Sequence, residues 1–144
     1  MTLRRPPSDD LVVDTSAIVA LLLGEPEAAA IATALASAAS PIMSAATVVE
    51  LGIVAEARSG KRGGSHVRAL LDAATVDVIP VDHLAASRAI DSWRRFGTGR
   101  HRAALNFGDC FSHSLAVHAQ LPILCVGDDF AHTDATVVDL SLFA

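Results

Sequence analysis

The chain has 144 residues, 51% hydrophobic and 19% charged, which is enough to bury a core of its own and excludes extended disorder. Its net charge of −5 excludes a protein that coats nucleic acid by bulk positive charge. No apolar run approaches the ~20 residues of a membrane span, so no membrane partner is expected.

Residues 1–10 read as a flexible, polar, proline-containing lead-in, and 11–144 as a single domain. Arg4-Arg5 ahead of an apolar run imitates an export signal. Asp9, Asp10 and Asp14 break that run and Pro6-Pro7 separates it from the arginines, so the expected compartment is the cytoplasm. Leu11 to Asp14, with β-branched Val12-Val13, predicts a buried parallel strand, and Thr15 to Leu23 a helix stopped by Gly24 and Pro26. Glu25 to Ala39 predicts a second helix, Ile42 to Ser44 a strand, and Ala45 to Arg58 a third helix. Ser59 to Gly64 reads as a loop, Ser65 to Ala74 as a helix, and Val76 to Val81 as a strand. Asp82 to Phe96 follows as a helix capped by Asp82, Gly97 to Gly108 as a loop, and Asp109 to Gln120 as a helix. Ile123 to Val126 is a strand, residues 127–130 a turn, and Val137 to Leu140 a weak final strand. This alternation implies a parallel sheet covered on both faces.

Several acids fall at the junctions of these elements. Asp14 ends the first strand and opens the first helix, where it is either a helix cap or an acid at the ligand-binding edge of the sheet. Glu50 lies in the apolar stretch Thr47 to Ala55, with Ala46, Thr47, Ile53 and Val54 as its helical neighbours. An ionised carboxylate there is costly without compensation, unless the helix is exposed or Glu50 pairs with an Arg. Asp109 opens a helix after Gly108, which capping alone would explain; Asp128 and Asp129 follow a strand in a turn. Asp14, Asp109 and the Asp128-Asp129 pair can face one sheet edge, with Glu50 leaning over it. Carboxylates converging without bases among them repel. Such a cluster suits a hard divalent cation, Mg²⁺ or Mn²⁺, and thereby phosphodiester hydrolysis.

Asp14-Thr15-Ser16-Ala17, Glu50 within TVVELGIV, Leu105-Asn106-Phe107-Gly108-Asp109-Cys110-Phe111 and Gly127-Asp128-Asp129-Phe130 resemble the PIN-domain ribonucleases, and most nearly the VapC toxins of bacterial toxin–antitoxin pairs. The resemblance runs from Leu11 to Leu140 and takes in Gly99 to Asn106. It implies a three-layer α/β/α fold with a central parallel sheet of four to five strands, and a homodimer. It also implies a Mg²⁺- or Mn²⁺-dependent endoribonuclease that leaves a 5′-phosphate, acts on RNA, and is held in check by a cognate VapB-type antitoxin. By motif match Asp14, Glu50 and Asp109 are the core acids and Asp128 the fourth, with Asp129 the alternative. Asp14, Asp109 and Asp128 would hold the cation, and Glu50 would position water or a second cation. Thr15, Ser16 and Asn106 would support these acids. The ten-residue lead-in departs from the family, whose members begin almost at the strand.

Ten of the eleven basic residues are Arg, a side chain suited to phosphate. Arg58, Lys61, Arg62 and Arg68 form one group; Arg94, Arg95, Arg100, His101 and Arg102 form another. Arg100 and Arg102, in the loop beside Asp109, are the candidates for RNA-phosphate contact. With one Trp, five Phe and no Tyr, stacking platforms look sparse. The six His make no metal site: His113 and His118 are five apart, and no HExxH occurs. Cys110 and Cys125 read as buried free thiols. Lys61 is misplaced for a response-regulator receiver, Ser16 stands where a haloacid-dehalogenase phosphatase needs Asp, and no phosphate-binding glycine loop follows a strand. The remaining alternative is a catalytically silent PIN-like module that binds RNA or protein.

Overall fold

The computed structural model describes residues 10–144, so the lead-in expected over 1–10 falls, but for Asp10, outside the described residues. Four strands, β1 (Val12–Val13), β2 (Ile42–Ser44), β3 (Asp77–Ile79) and β4 (Ile123–Leu124), form one parallel sheet in the order β3-β2-β1-β4. Val12 pairs with Ile42 on one side and Ile123 on the other, so β1 is central and has no free edge. Its two β-branched residues are fully buried, as a strand covered on both faces requires.

Successive residues of a strand face opposite ways, and here the two faces belong to different cores. Val13 and Leu124 pack with Ile18, Ile31, Leu51 and Leu71, beneath α1 (Thr15–Leu23), α2 (Ala28–Ser37) and α3 (Ala45–Ala73). Val12 and Ile123 pack with Ala89, Leu105, Cys110 and Ala116, beneath α4 (His83–Phe96) and α5 (Phe107–Ala119). The result is the expected three-layer α/β/α fold. No helix among the described residues is long and apolar enough to cross a membrane.

Four elements differ from expectation. Residues 59–64 are helical rather than looped: α3 runs on through a kink at Gly60, whose φ of 63° only glycine adopts without strain. The second helix is shorter than Glu25 to Ala39, because Pro26 sits in a turn and Glu27 makes no side-chain cap. The Val137 to Leu140 strand is reduced to a parallel bridge between Val137 and Ile123, and Leu140–Phe143 closes into a 3₁₀ turn. Finally, α5 begins at Phe107, two residues before Asp109, because Asn106 caps it.

Candidate active site

Asp14 leaves β1 at the carboxyl edge of the sheet and is 4% exposed. It is both things that its position allowed. Its Oδ2 accepts the Ser16 backbone N–H at 3.1 Å, capping α1, and also the Ser16 hydroxyl at 2.8 Å. Its Oδ1 accepts the Ser112 hydroxyl of α5 at 2.7 Å. Ser16 Oγ in turn accepts the Val126 N–H at 3.0 Å, which ties the end of β4 to the same carboxylate. These donors are all neutral, so Asp14 is oriented without being neutralised.

Glu50 projects from α3, and Thr15 donates its hydroxyl to Glu50 Oε1 at 2.5 Å. Among the described residues it forms no ion pair. The helix is exposed at Ile53, whereas Glu50 is half-buried. It lies directly on Gly108, in the first turn of α5: a methyl group there would overlap both Glu50 oxygens.

Asp109 forms a capping box with Asn106. Asn106 Oδ1 accepts the Asp109 N–H at 2.9 Å, and Asp109 Oδ2 accepts the Asn106 N–H at 3.0 Å. Asp109 is therefore the third residue of its helix and Asn106 the cap. Burial pushes the Asp109 carboxyl up to about 6, against the Asn106 N–H bond and with the charges of Asp14, Asp129 and Glu50 adding to it. Burial and the charges of Asp14, Asp109 and Asp129 also push the Cys125 thiol up to about 12, leaving it an inert neighbour. Asp128 and Asp129 are both exposed, but Asp129 is the one whose charge acts on Asp109 and Cys125.

Arg100 and Arg102 are exposed in the loop before α5, and the Arg100 guanidinium lies 4.2 Å from the centre of the Trp93 ring. His113 is 1% exposed and bridges three segments. Its Nδ1 lies 2.7 Å from Ser92 Oγ of α4, and its Nε2 2.7 Å from Asp134 Oδ1, which follows the 3₁₀ turn Phe130–His132. Arg95 completes the group on Asp134 at 2.7 Å. Burial pulls the His113 pKa down, against the Asp134 contact; with Nε2–H donating to the Asp134 carboxylate, Nδ1 of the neutral ring accepts from Ser92. Ser92→Ala strands a buried acceptor and is expected to cost about 1–3 kcal/mol, read as a lower denaturant midpoint at unchanged slope.

Ser112, Thr47 and Gly108 were not anticipated. Thr47 Oγ1 lies 3.3 Å from Ser112 Oγ, extending the hydroxyl chain behind Asp14. The one available signal for Ser112 was its place three residues after Asp109, at the same end of the helix.

The donor set is all oxygen, and no protein cation offsets it, as suits a hard divalent cation. Among the described residues no three of these carboxylates are already drawn together as a ligand cluster. Asp109, held above the usual carboxylate range partly by its acidic neighbours, is the group that a cation would most relieve.

Residues 11–136 match the family model for the PIN domain. The chain is 43% identical over 130 residues to "Ribonuclease VapC30" of Mycobacterium tuberculosis, covering 90% of this chain and 99% of that one. It is 43% identical over 128 residues to "Ribonuclease VapC" of Mycolicibacterium smegmatis, covering 89% and 99%. Among solved structures it resembles Mycobacterium tuberculosis VapC20, described as a Sarcin-Ricin loop cleaving toxin, with a TM-score of 0.73 at 20% identity over 89% of this chain and 98% of that one. VapBC2 from Rickettsia felis, bound to a promoter DNA fragment, gives 0.70 at 11% identity, covering 90% and 97%. With its acids on the sheet edge and this likeness over nearly its whole described length, the chain belongs to the PIN-domain family, among the VapC ribonucleases.

Proposed function

We propose that this protein is a divalent-metal-dependent endoribonuclease, the toxin of a toxin–antitoxin pair. The observation that carries the reading is that the charges of Asp14, Glu50 and Asp129 all act on Asp109 at one edge of the sheet, with no basic side chain paired to any of these acids among the described residues. The names of the curated relatives support the RNA substrate, and the toxin–antitoxin complexes among its structural likenesses support an antitoxin partner.

Asp14 and Asp109 would hold the cation, Mg²⁺ or Mn²⁺, which when bound would polarise the scissile phosphate and lower the pKa of an attacking water. Ser16 and Ser112 keep both Asp14 oxygens directed, and Asn106 fixes the backbone that carries Asp109. Glu50, anchored by Thr15, positions the water or a second cation. Arg100 and Arg102 take RNA phosphates at the rim. The 3′-oxygen leaves, and the product carries a 5′-phosphate. An antitoxin peptide that covers the acids with an Arg would compete for the same charge.

RNA incubated with the purified chain should be cut in Mg²⁺ or Mn²⁺ and not in EDTA, with 5′-phosphate ends by end-specific sequencing. Undiminished cleavage in EDTA would overturn the metal assignment. No cleavage under any metal would leave the silent binding module. Of the two turn acids, we assign the fourth role to Asp129. Asp129→Asn should slow cleavage about tenfold or more, and Asp128→Asn should leave it within about twofold. The reverse pattern would return the role to Asp128.

A further inference from the structure

One stretch of α5 touches each segment that carries an acid. Gly108 lies against Glu50, Asp109 is itself an acid, Ser112 donates to Asp14, and His113 lies 2.7 Å from Asp134. Asp134 belongs to the segment that starts with the turn acids. Asp128 and Asp129 lead into the 3₁₀ turn Phe130–His132, whose end is tied by the Thr133 hydroxyl donating to the Phe130 carbonyl at 2.7 Å. Phe130 is buried, and the Ala131 and Thr133 N–H groups donate to the Asp128 and Phe130 carbonyls at 3.1 Å each. Asp129 to Asp134 is therefore one short knotted unit, fixed at its far end where Asp134 meets Arg95 and His113. Among the described residues, both contacts between a basic side chain and a carboxylate fall on this one Asp. The acids make no use of a buried imidazole, and an apolar ring would fill the space beside Phe96 without needing partners.

From these we propose that His113 is a positioning residue for RNA cleavage: through Asp134 it clasps the segment 127–134 to α5 and so keeps Asp129 in place at the acid-bearing edge. The inference rests on the endoribonuclease reading with Asp129 as the fourth acid, and adds how that acid is held. Need is the first ground. Asp14, Glu50 and Asp109 each accept a hydrogen bond, whereas Asp129 makes none to cap its own turn and depends on its backbone for its place. Shielding is the second. Arg95 and Asp134 are both half-exposed, and such a pair on its own is weak in water. His113 is buried, so its bond to the same carboxylate is charge-assisted and sheltered from competing water. Geometry is the third. His113 follows Asp109 by four residues, about one helical turn, so the clasp and the acid share one rigid rod. Ser92 of α4 holds the other ring nitrogen at 2.7 Å and so fixes where Nε2 points.

Two replacements of the ring separate the halves of the clasp. In His113→Gln the amide nitrogen takes the place of Nε2 and still reaches Asp134; in His113→Asn the amide takes the place of Nδ1 and reaches Ser92 alone. Each gives up one buried hydrogen bond, so a merely structural role predicts similar drops in melting temperature and similar rates. The clasp predicts that His113→Asn lowers kcat about tenfold at unchanged KM, while His113→Gln stays within about threefold of wild type. The assays are run in Mg²⁺, well below either melting temperature. In an Asp129→Asn chain, His113→Asn should cost no further rate, because the acid it seats is already gone. Apart from activity, the Mg²⁺ concentration that half-maximally raises the melting temperature should increase in His113→Asn and not in His113→Gln. Asp134→Ala opens the same bond from its half-exposed side and should match His113→Asn, which keeps the test decisive if a change at the buried position does not fold. Equal rates in the Gln and Asn variants, a full further loss on top of Asp129→Asn, or wild-type cleavage by Asp134→Ala overturns the positioning role alone. A wild-type chain that cuts RNA in no metal overturns the endoribonuclease reading and takes the positioning role with it.

Discussion

Asp109→Asn is expected to slow RNA cleavage about a hundredfold or more and at the same time to stabilise the metal-free protein. The rate effect follows from its role, since even residues that only orient a metal ligand are worth 10–100-fold. The stability effect follows from electrostatics. With a carboxyl pKa of about 6 against 3.8 when unconstrained, the folded chain binds the Asp109 proton more tightly than the unfolded chain. The stabilising contribution is thus complete below about pH 4 and is lost as pH rises through about 6. At neutral pH the ionised group opposes folding. Asn removes the repelled charge, yet its Oδ1 still accepts the Asn106 N–H, so the gain is of the order of 1 kcal/mol after solvent screening of a half-exposed group. Thermal unfolding in EDTA at pH 5 and pH 7.5 should show that Asp109→Asn removes part of the wild-type loss between the two. Mg²⁺ should raise the wild-type melting temperature and leave the variant unmoved. Asp14→Asn is the contrast. It should abolish cleavage as fully but cost about 1–3 kcal/mol, because its oxygens accept three hydrogen bonds in a buried place. Equal losses of stability in the two variants would mean that repulsion at Asp109 is not significant.

Gly108→Ala carries the second large effect, in a residue with no functional atom of its own. The helical backbone there accepts Ala, and the exchange favours the helix by about 0.5–1 kcal/mol. The new methyl overlaps only the far end of the Glu50 side chain, so the carboxylate swings away and gives up the Thr15 hydroxyl. Cleavage should fall about tenfold or more while the melting temperature holds or rises. Shortening the displaced residue, in Gly108→Ala with Glu50→Asp, should recover part of the rate, beyond what the two single changes predict together. A Gly108→Ala protein that cleaves normally would show that the position of Glu50 is immaterial. One that loses stability would place the constraint in the backbone.

The layers, the parallel sheet and the acid-bearing edge were legible because each rests on local patterns. Val12-Val13 reads as a buried strand, Asp82 as a cap, and Glu50 as a charge in an apolar stretch. What escaped depends on partners far apart in sequence. Nothing around Ser112 indicates that its hydroxyl reaches Asp14, 98 residues away. Nothing around His113 indicates that Ser92 and Asp134, each 21 residues off, will enclose it. The start of α5 was misplaced for another reason. Asn106 and Asp109 are both good caps, and only the reciprocal pair of bonds between them decides which residue opens the helix.

The two residues of β1 belong to separate cores, Val12 to the α4–α5 layer and Val13 to the α1–α3 layer. The acids straddle the same division: Glu50 rides on one layer, Asp109 on the other, and Asp14 on the strand between them. The constellation is therefore a joint, and its spacing measures how the two halves of the molecule are seated on the sheet. Firmness within either half does not secure it. A change that slides one half against the other would part the carboxylates while both halves stayed folded, so loss of cleavage in this chain can precede any loss of structure that melting would detect.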